Sequence, residues 1–555
     1  MNTPPFFFRV LGSISVLVVG ATLHATGIAV AAPESPDDPV RADFNGDGFD
    51  DLAIGVPLAD VGNVVDAGAV RLYAGGTSGL TFLSTLSQNS AFVADTAEAG
   101  DRFGSALTTG FFNADRFLDL AVGVPGEDRG RTKDSGAVHV FYGTAKGLTA
   151  TGDVVFDQAS RGIGGSAEAG DRFGSSVAAG DFGRTGQQDL AVGVPLEDVG
   201  KAKDAGIVQV IYGTTKGLAS AKTKTISQNT SKVEGSAESG DRFGSSLAVG
   251  DFGRSAKDDL AIAAPYEDIQ NAKDTGMVHV LYGATKGLTG SGSSAFGQAN
   301  RAISGLHETG DLFGFSLSAG NLGRSAKDEL AIGVPYEDIG TRVDAGLLHV
   351  LYGASGAMSA AGSEEFSADS PNVGGASEAG DHFGFALASA DLIGTAESEL
   401  VVGVPDEDFE FPGQDRPTMV DPGSVEVLLG SAPGLNRGGR SKELTAEAFE
   451  VSAQSEPGDR WGAALATGNF STSPFGGGTK ADLVIGEPGE DINRVTPAVP
   501  DVGEVSLLVG SDRDFQGNPG GDIVGKPEGD QLFVPTNQAK AGDRFGSAIS
   551  STRLN

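Results

Sequence analysis

Phe173-Gly174-Ser175-Ser176-Val177-Ala178-Ala179, Leu190-Ala191-Val192-Gly193-Val194-Pro195 and Ile207-Val208-Gln209-Val210-Ile211-Tyr212 are three short apolar runs close together in sequence. Each is too short for a helix and rich in β-branched residues, and glycine, proline or acidic turns bound them, so they read as strands at Ser175–Ala179, Leu190–Val194 and Ile207–Tyr212. A less regular fourth strand is expected around Thr151–Phe156 or its equivalents. In the third run Val208, Val210 and Tyr212 share one face, and Ile207, Gln209 and Ile211 share the other. Apolar residues on both faces imply a sheet covered on both sides.

The same unit recurs along the chain. An apolar strand ending in Gly-x-Pro or its variant finishes at Pro57, Pro125, Pro195, Pro265, Pro335, Pro405 and Pro488, at spacings of 68, 70, 70, 70, 70 and 83 residues. Aromatic-glycine pairs stand at Phe103-Gly104, Phe173-Gly174, Phe243-Gly244, Phe313-Gly314, Phe383-Gly384, Trp461-Gly462 and Phe545-Gly546. Fixed-period repetition of a four-strand unit predicts an all-β, seven-bladed β-propeller. The N-terminal unit begins at Arg41-Ala42-Asp43 without an aromatic-glycine strand, and Gly542–Ile549 is such a strand with no unit after it. The C-terminal strand is therefore expected to pair with the N-terminal blade and close the ring, which removes free sheet edges. An open solenoid is the alternative, and it would want capping repeats.

The order Phe-Gly, acidic turn, Gly-Val-Pro, Gly-x-Val-x-x-x-Tyr resembles the FG-GAP repeat of the integrin α-subunit N-terminal β-propeller. The resemblance runs from about Asp43 to the C-terminus. It implies a calcium-binding propeller used in extracellular ligand recognition and adhesion. Residues 1–31 read as a signal peptide: Arg9, an apolar stretch from Val10, and a small-x-small site at Ala29-Val30-Ala31. A retained membrane anchor is the competing reading. Residues 32–42 then form a linker and 43–555 the propeller, with repeats at 43–98, 99–168, 169–238, 239–308, 309–378, 379–456 and 457–540 and a closing strand at 541–555. The expected location is secreted, extracellular or at the cell surface, with no membrane insertion after signal cleavage.

The formal net charge of -35 argues against nucleic acid as a partner and favours cations or a basic ligand. There is no cysteine, which excludes disulfides and thiolate metal sites. The expected partner is an extracellular protein or glycan.

Asp43-Phe44-Asn45-Gly46-Asp47-Gly48-Phe49-Asp50-Asp51 places oxygen side chains at alternate positions of a tight loop, as a hard cation requires. By the resemblance, Asp43, Asn45, Asp47 and Asp51 offer side-chain oxygens and Phe49 its carbonyl to Ca2+. A second, weaker copy has Asn113, Asp115, Phe117 and Asp119, with Phe111 where the first ligand should stand. In the remaining copies the pattern decays: Asp181 with Asp189, Asp251 with Asp259, Asn321 with Glu329, Asp391 with Glu399, Asn469 with Asp482. Arg184, Arg254 and Arg324, with Lys257 and Lys327, are expected to replace the metal there by pairing with the surviving acids.

Two acidic series also recur, Glu-x-x-Asp before the aromatic-glycine pair (Glu98/Asp101 onward) and Glu-Asp after Gly-x-Pro (Glu127-Asp128 onward). Blade topology puts both at the end opposite the metal loops. They are either turn chemistry with ion pairs to Arg102, Arg172 and Arg242, or a face for basic ligands. Insertions at Glu410–Asp421, Thr472–Lys480 and Asn493–Asp501 mark blades six and seven as candidates for specificity. His139, His279 and His349 share one strand position and read as structural. No G-x-S-x-G, H-E-x-x-H or P-loop occurs, so a non-catalytic module is expected. FG-GAP repeats also accompany a phospholipase D specific for glycosylphosphatidylinositol, so a hydrolase-associated role, or a purely structural one, is the alternative.

Overall fold

The computed structural model describes residues 43–77, 79–409, 419–437, 441–446, 456–470, 480–489, 503–508, 531–533 and 547–550. The signal and linker segments, Phe545-Gly546 and most of the three insertions lie outside them. Among the described residues, twenty-eight strands, β1 to β28 in chain order, form seven antiparallel sheets of four. The all-β, seven-bladed propeller is thus the observed architecture.

In the third blade the order is β8 (Ser176–Gly180), β9 (Asp189–Val194), β10 (Ile207–Ile211) and β11 (Thr223–Ile226). The first strand starts one residue later than expected because the Ser175 amide and hydroxyl both donate to the Arg172 carbonyl, at 3.1 and 2.8 Å, and hold Ser175 in the turn. Tyr212 leaves β10 for a different task. Its hydroxyl accepts the Leu288 amide of the next blade at 3.3 Å. Tyr142, Tyr282 and Tyr352 take Leu218, Met358 and Leu435 in the same way. These latches across blades are invisible in a single repeat.

The innermost strands β4 (Ala106–Gly110), β8, β12 (Leu247–Gly250), β16 (Ser316–Gly320), β20 (Ala386–Ala390), β24 (Ala464–Gly468) and β28 (Ala548–Ser550) each contact the next, and β28 contacts β4. They make a full circle about the axis. β28 also pairs with β1 (Leu52–Val56), placing Ala548 opposite Gly55 and Ser550 opposite Ala53.

The two motif glycines meet across blades. A Cβ on Gly193 would stand 2.1 Å from the Gly244 carbonyl oxygen of the next blade. Gly174 adopts φ 89°, and a Cβ there would meet the Ala137 oxygen at 2.5 Å. Blade-to-blade approach therefore needs a missing side chain at both positions. Phe103, Phe173, Phe243, Phe313, Phe383 and Trp461 fill the space beside them with at most 1% exposure. Each such ring contributes about 1.5–3 kcal/mol by burial. The apolar core accordingly lies between blades: one cluster joins Val138 and Val140 of the second blade, Val192 and Val208 of the third, and Leu247 and Ile262 of the fourth.

Candidate metal loop and candidate binding face

The metal-type loops join the first and second strands of each blade and ring one end of the propeller. In all of them the last acid serves the backbone. Asp51 accepts the Phe44 amide at 2.9 Å and the Gly75 amide at 3.1 Å. Asp119 takes Phe112 and Gly143, Asp189 takes Phe182 and Gly213, and Asp259 takes Phe252 and Gly283. Glu329, Glu399 and Asp482 hold Leu322, Leu392 and Phe470. This explains why the acid persists in loops that have lost the middle ligands. It pins the loop to the blade.

A second set of bonds joins neighbouring loops. The residue at loop position one offers its backbone to position eight of the next blade: Leu118 to Asp43, Gln188 to Phe111, Asp258 to Asp181, Asp328 to Asp251, Ser398 to Asn321, Ala481 to Asp391 and Asp50 to Asn469, all amide to carbonyl at 2.6–3.4 Å. The circuit returns to its starting blade. Where position eight carries a suitable oxygen, its side chain accepts the return amide, as Asp258 does from Asp181 at 2.7 Å and Asp328 from Asp251 at 2.9 Å.

Cations enter the degenerate loops in a way the sequence reading missed. Lys257 pairs with Asp181, and Lys327 with Asp251 at 2.5 Å; each lysine comes from the following blade and meets the first acid, not both. In the sixth loop Lys480 lies over Gly394 and lowers the Asp391 pKa against the larger raising effect of burial. The arginines do something else. Arg184, Arg254 and Arg324 stack over Tyr212, Tyr282 and Tyr352 at 4.1, 4.8 and 3.7 Å. Of the expected cations, Lys257 and Lys327 therefore meet the first acids of the preceding blade's loops, whereas the three arginines lie over aromatic rings and Arg324 also pairs with Glu364 at 2.5 Å.

Asp43 is the exception. The position held by Lys257, Lys327 and Lys480 elsewhere is Phe117 beside the first loop, whose ring lies 2.8 Å from where a Gly46 Cβ would be. Asp43 Oδ1 accepts the Asn45, Gly46 and Asp47 amides at 3.2, 2.5 and 3.1 Å, and Oδ2 the Gly48 amide at 2.7 Å. Asp47 accepts Phe49 at 3.0 Å. Gly46 and Gly48, at φ 78° and 94°, allow this winding. Asp51 is pushed up to about 7 chiefly by burial, with Asp43 and Asp47 adding repulsion. Among the described residues no three acids already converge on one point. The donor set nonetheless fits a hard dication: three mutually repelling carboxylates and one amide in a single turn, with no lysine where three other loops carry one. In the second loop Asn113 and Asp115 cap Asp115 and Phe117 amides at 2.6 and 2.9 Å, and Phe111 supplies only backbone.

At the opposite end the acidic series are absorbed by turns. Asp101, Asp171, Asp241 and Asp311 accept the Glu98, Glu168, Glu238 and Glu308 amides at 2.5–2.6 Å. Glu127, Glu197, Glu267 and Glu337 are buried and accept Gln88, Gln158, Gln228 and Gln298 of the preceding blade at 2.5–2.6 Å. Burial, foremost, lifts Asp171 and Asp241 to about 6, and Glu127, Glu267 and Glu337 to about 8. Arg102, Arg172 and Arg242 make no ion pair with these or any other acids within 4.0 Å among the described residues, against the expected pairing. Of the histidines, His279 donates to the Glu234 carbonyl at 3.0 Å, and burial holds His279 and His349 down at about 4, so both are neutral and structural.

Around the axis at this end the blades stop being equivalent. Ser105, Ser175 and Ser245 follow the aromatic-glycine pair in blades two to four, but Phe315 and Phe385 do so in blades five and six. Phe315 packs on Phe385 and Tyr336 at 5.0 and 5.5 Å, and Tyr336 on His382 at 4.8 Å. Arg460 and His382 both bind Asp406, at 2.8 and 2.7 Å.

The FG-GAP repeat family model matches residues 39–73, 103–141, 173–211 and 243–281. Phosphatidylinositol-glycan-specific phospholipase D of Bos taurus is 32% identical over 182 residues, 33% of this chain and 20% of that protein. Integrin alpha-PS5 of Drosophila melanogaster is 34% identical over 170 residues, 30% and 15% of the two chains. Integrin alpha-4 of Xenopus laevis is 29% identical over 221 residues, 40% and 18%. The chain thus spans about a fifth or less of the length of these relatives. A rhamnogalacturonan lyase structure superposes with TM-score 0.33 at 11% identity, covering 83% of this chain and 87% of that one, a likeness too loose to bear on function. The seven-fold ring, its paired motif glycines and these matches together identify the chain as an FG-GAP-repeat β-propeller, related over the matched stretches to integrin α chains and to the phospholipase D.

Proposed function

We propose that this propeller is a secreted, calcium-stabilised, non-catalytic module that binds an extracellular protein or glycan, in the manner of an adhesion domain. Asp43, Asn45, Asp47 and Asp51, with the Phe49 carbonyl, would hold the calcium, which supplies fixed positive charge to a loop of mutually repelling acids. Their protein-borne task is to hold the first loop against Phe117 and the closing blade. Asn113, Asp115, Phe117 and Asp119 form the weaker second candidate.

The observation that carries ligand binding is the lost equivalence around the axis: every loop at the calcium end keeps its acid latch, while at the other end serines give way to Phe315 and Phe385. Structure alone asks each blade for the same residues, and a ligand asks for different ones. Similarity to integrin α chains and the phospholipase D supports an extracellular setting. Pull-down of extracellular-matrix and cell-surface fractions with the immobilised full chain tests the reading. A ligand retained by the native protein and lost on Tyr336→Ala is expected; no retained ligand, or retention unaffected by Y336A, would overturn it. A panel of esterase and glycosidase substrates is expected to show no turnover.

A further inference from the structure

Arg102, Arg172 and Arg242 occupy the same place in three consecutive blades, on the turns that enter β4, β8 and β12. Each is held in the left-handed region, at φ 59°, 60° and 54°. Their amides are fixed to the Asp66, Asp134 and Asp204 carbonyls at 3.1–3.2 Å. A non-glycine residue in that conformation is costly, and three in a row fix where the side chains start. All three are half-buried. In a chain with 74 acids, no acid lies within ion-pair distance of these guanidinium groups, and none of their side-chain N–H groups finds a protein acceptor among the described residues. Burial lowers the Arg172 pKa, and Arg102 and Arg242 lower it further, so the three charges feel one another.

What surrounds them differs from the other half of the ring. Ser105, Ser175 and Ser245 turn their hydroxyls back to the arginine carbonyls at 2.8 Å and leave the space that Phe315 and Phe385 fill opposite. Arg242 stacks on Tyr266 at 4.2 Å, which joins the arginine arc to the aromatic one. Arg460 and His382, by contrast, both find Asp406 as a partner. Among the described residues the repeat therefore satisfies a cation at this place on the far side only.

We propose that Arg102, Arg172 and Arg242 form an oxyanion site that receives a carboxylate, sulfate or phosphate group of the ligand. Guanidinium forks match such oxygens two at a time. A bound oxyanion supplies the acceptors the three side chains lack and offsets their repulsion. This rests on the arginine end being the ligand face, and it names the chemistry there.

The test titrates the full chain with sodium sulfate, phosphate and citrate against sodium chloride at constant ionic strength, following melting temperature. A saturable rise with the oxyanions and none with chloride is expected, and the order of midpoints distinguishes carboxylate from tetrahedral anions. Arg172→Gln should move the midpoint at least tenfold, while Arg301→Gln on an outer turn leaves it in place. Equal effects of chloride, or an unmoved midpoint in R172Q, would overturn the proposal. If R172Q does not fold, crystals soaked in selenate decide: an anomalous peak among the three guanidinium groups is expected, and its absence contradicts the site. Anion binding that persists when pull-down recovers nothing would defeat the adhesion reading while leaving this one intact.

Discussion

Asn469 and Asp50, 419 residues apart, exchange two hydrogen bonds: the Asn469 amide donates to the Asp50 carboxylate at 2.7 Å, and the Asp50 amide returns one to the Asn469 carbonyl at 3.1 Å. The same exchange joins Asp181 to Asp258 and Asp251 to Asp328, so the seam between the last and first blades is made like an internal joint. The hydrogen bonds are buried, and removing one partner strands the other. Asp50→Ala is expected to cost about 1–3 kcal/mol by denaturant unfolding. Hydrogen exchange should show blade one opening first. Loss of protection spread evenly over all blades would contradict the seam.

The lysines of the degenerate loops give a gain-and-loss pair. Phe117→Lys places beside Asp43 the cation that Lys257 offers Asp181. The fold should persist while calcium affinity falls at least tenfold, because a fixed ammonium competes for the same acid. Isothermal titration with calcium reads this directly; an unchanged affinity would show that Asp43 is not a ligand.

Buried carboxyls at the arginine end give a pH dependence of definite sign. Glu267 rises from 4.5 to about 8, mainly by burial, so the folded state binds its proton more tightly than the unfolded one. Its stabilising contribution is complete below about pH 4 and is lost as pH rises through 8. The calcium-free protein should therefore melt at lower temperature at pH 8.5 than at pH 5.5. Glu267→Gln, which keeps an acceptor for Gln228, should be close to neutral at pH 5.5 and stabilising by about 1–2 kcal/mol at pH 8.5. A variant that is equally stable relative to wild type at both pH values would refute the assignment.

Glu407 lacks the partner its equivalents have. Ala368 stands where Gln88, Gln158, Gln228 and Gln298 stand in earlier blades, and burial, then Asp381, pushes Glu407 up to about 9. Ala368→Gln should supply the missing donor, add about 1 kcal/mol and bring the Glu407 pKa down. Destabilisation would mean that the site between blades five and six has closed around the alanine.

The ring and its repeat were legible because Phe-Gly and Gly-x-Pro recur at 70-residue spacing and each marks a strand. What stayed hidden lies between repeats. Asp51 reads as a ligand within its own loop, yet its equivalents in every blade hold backbone amides. The Gln228–Glu267 bond spans 39 residues and two blades; the constant offset was in the sequence, but nothing local joined the two residues. Arg102, Arg172 and Arg242 stand beside acids in sequence, which made ion pairs one of the two readings, whereas those acids turn to the Glu98, Glu168 and Glu238 amides. Local motifs predict strands well; charge partners are chosen by the neighbouring blade.

Metal content measured on the chelator-washed and calcium-reloaded full chain, paired with melting curves, bears on the functional account most directly. One calcium per chain, with a melting temperature that falls on chelation and recovers on reloading, is the predicted result. No bound calcium, or three or more ions per chain, would contradict the assignment of the first loop as the principal calcium site.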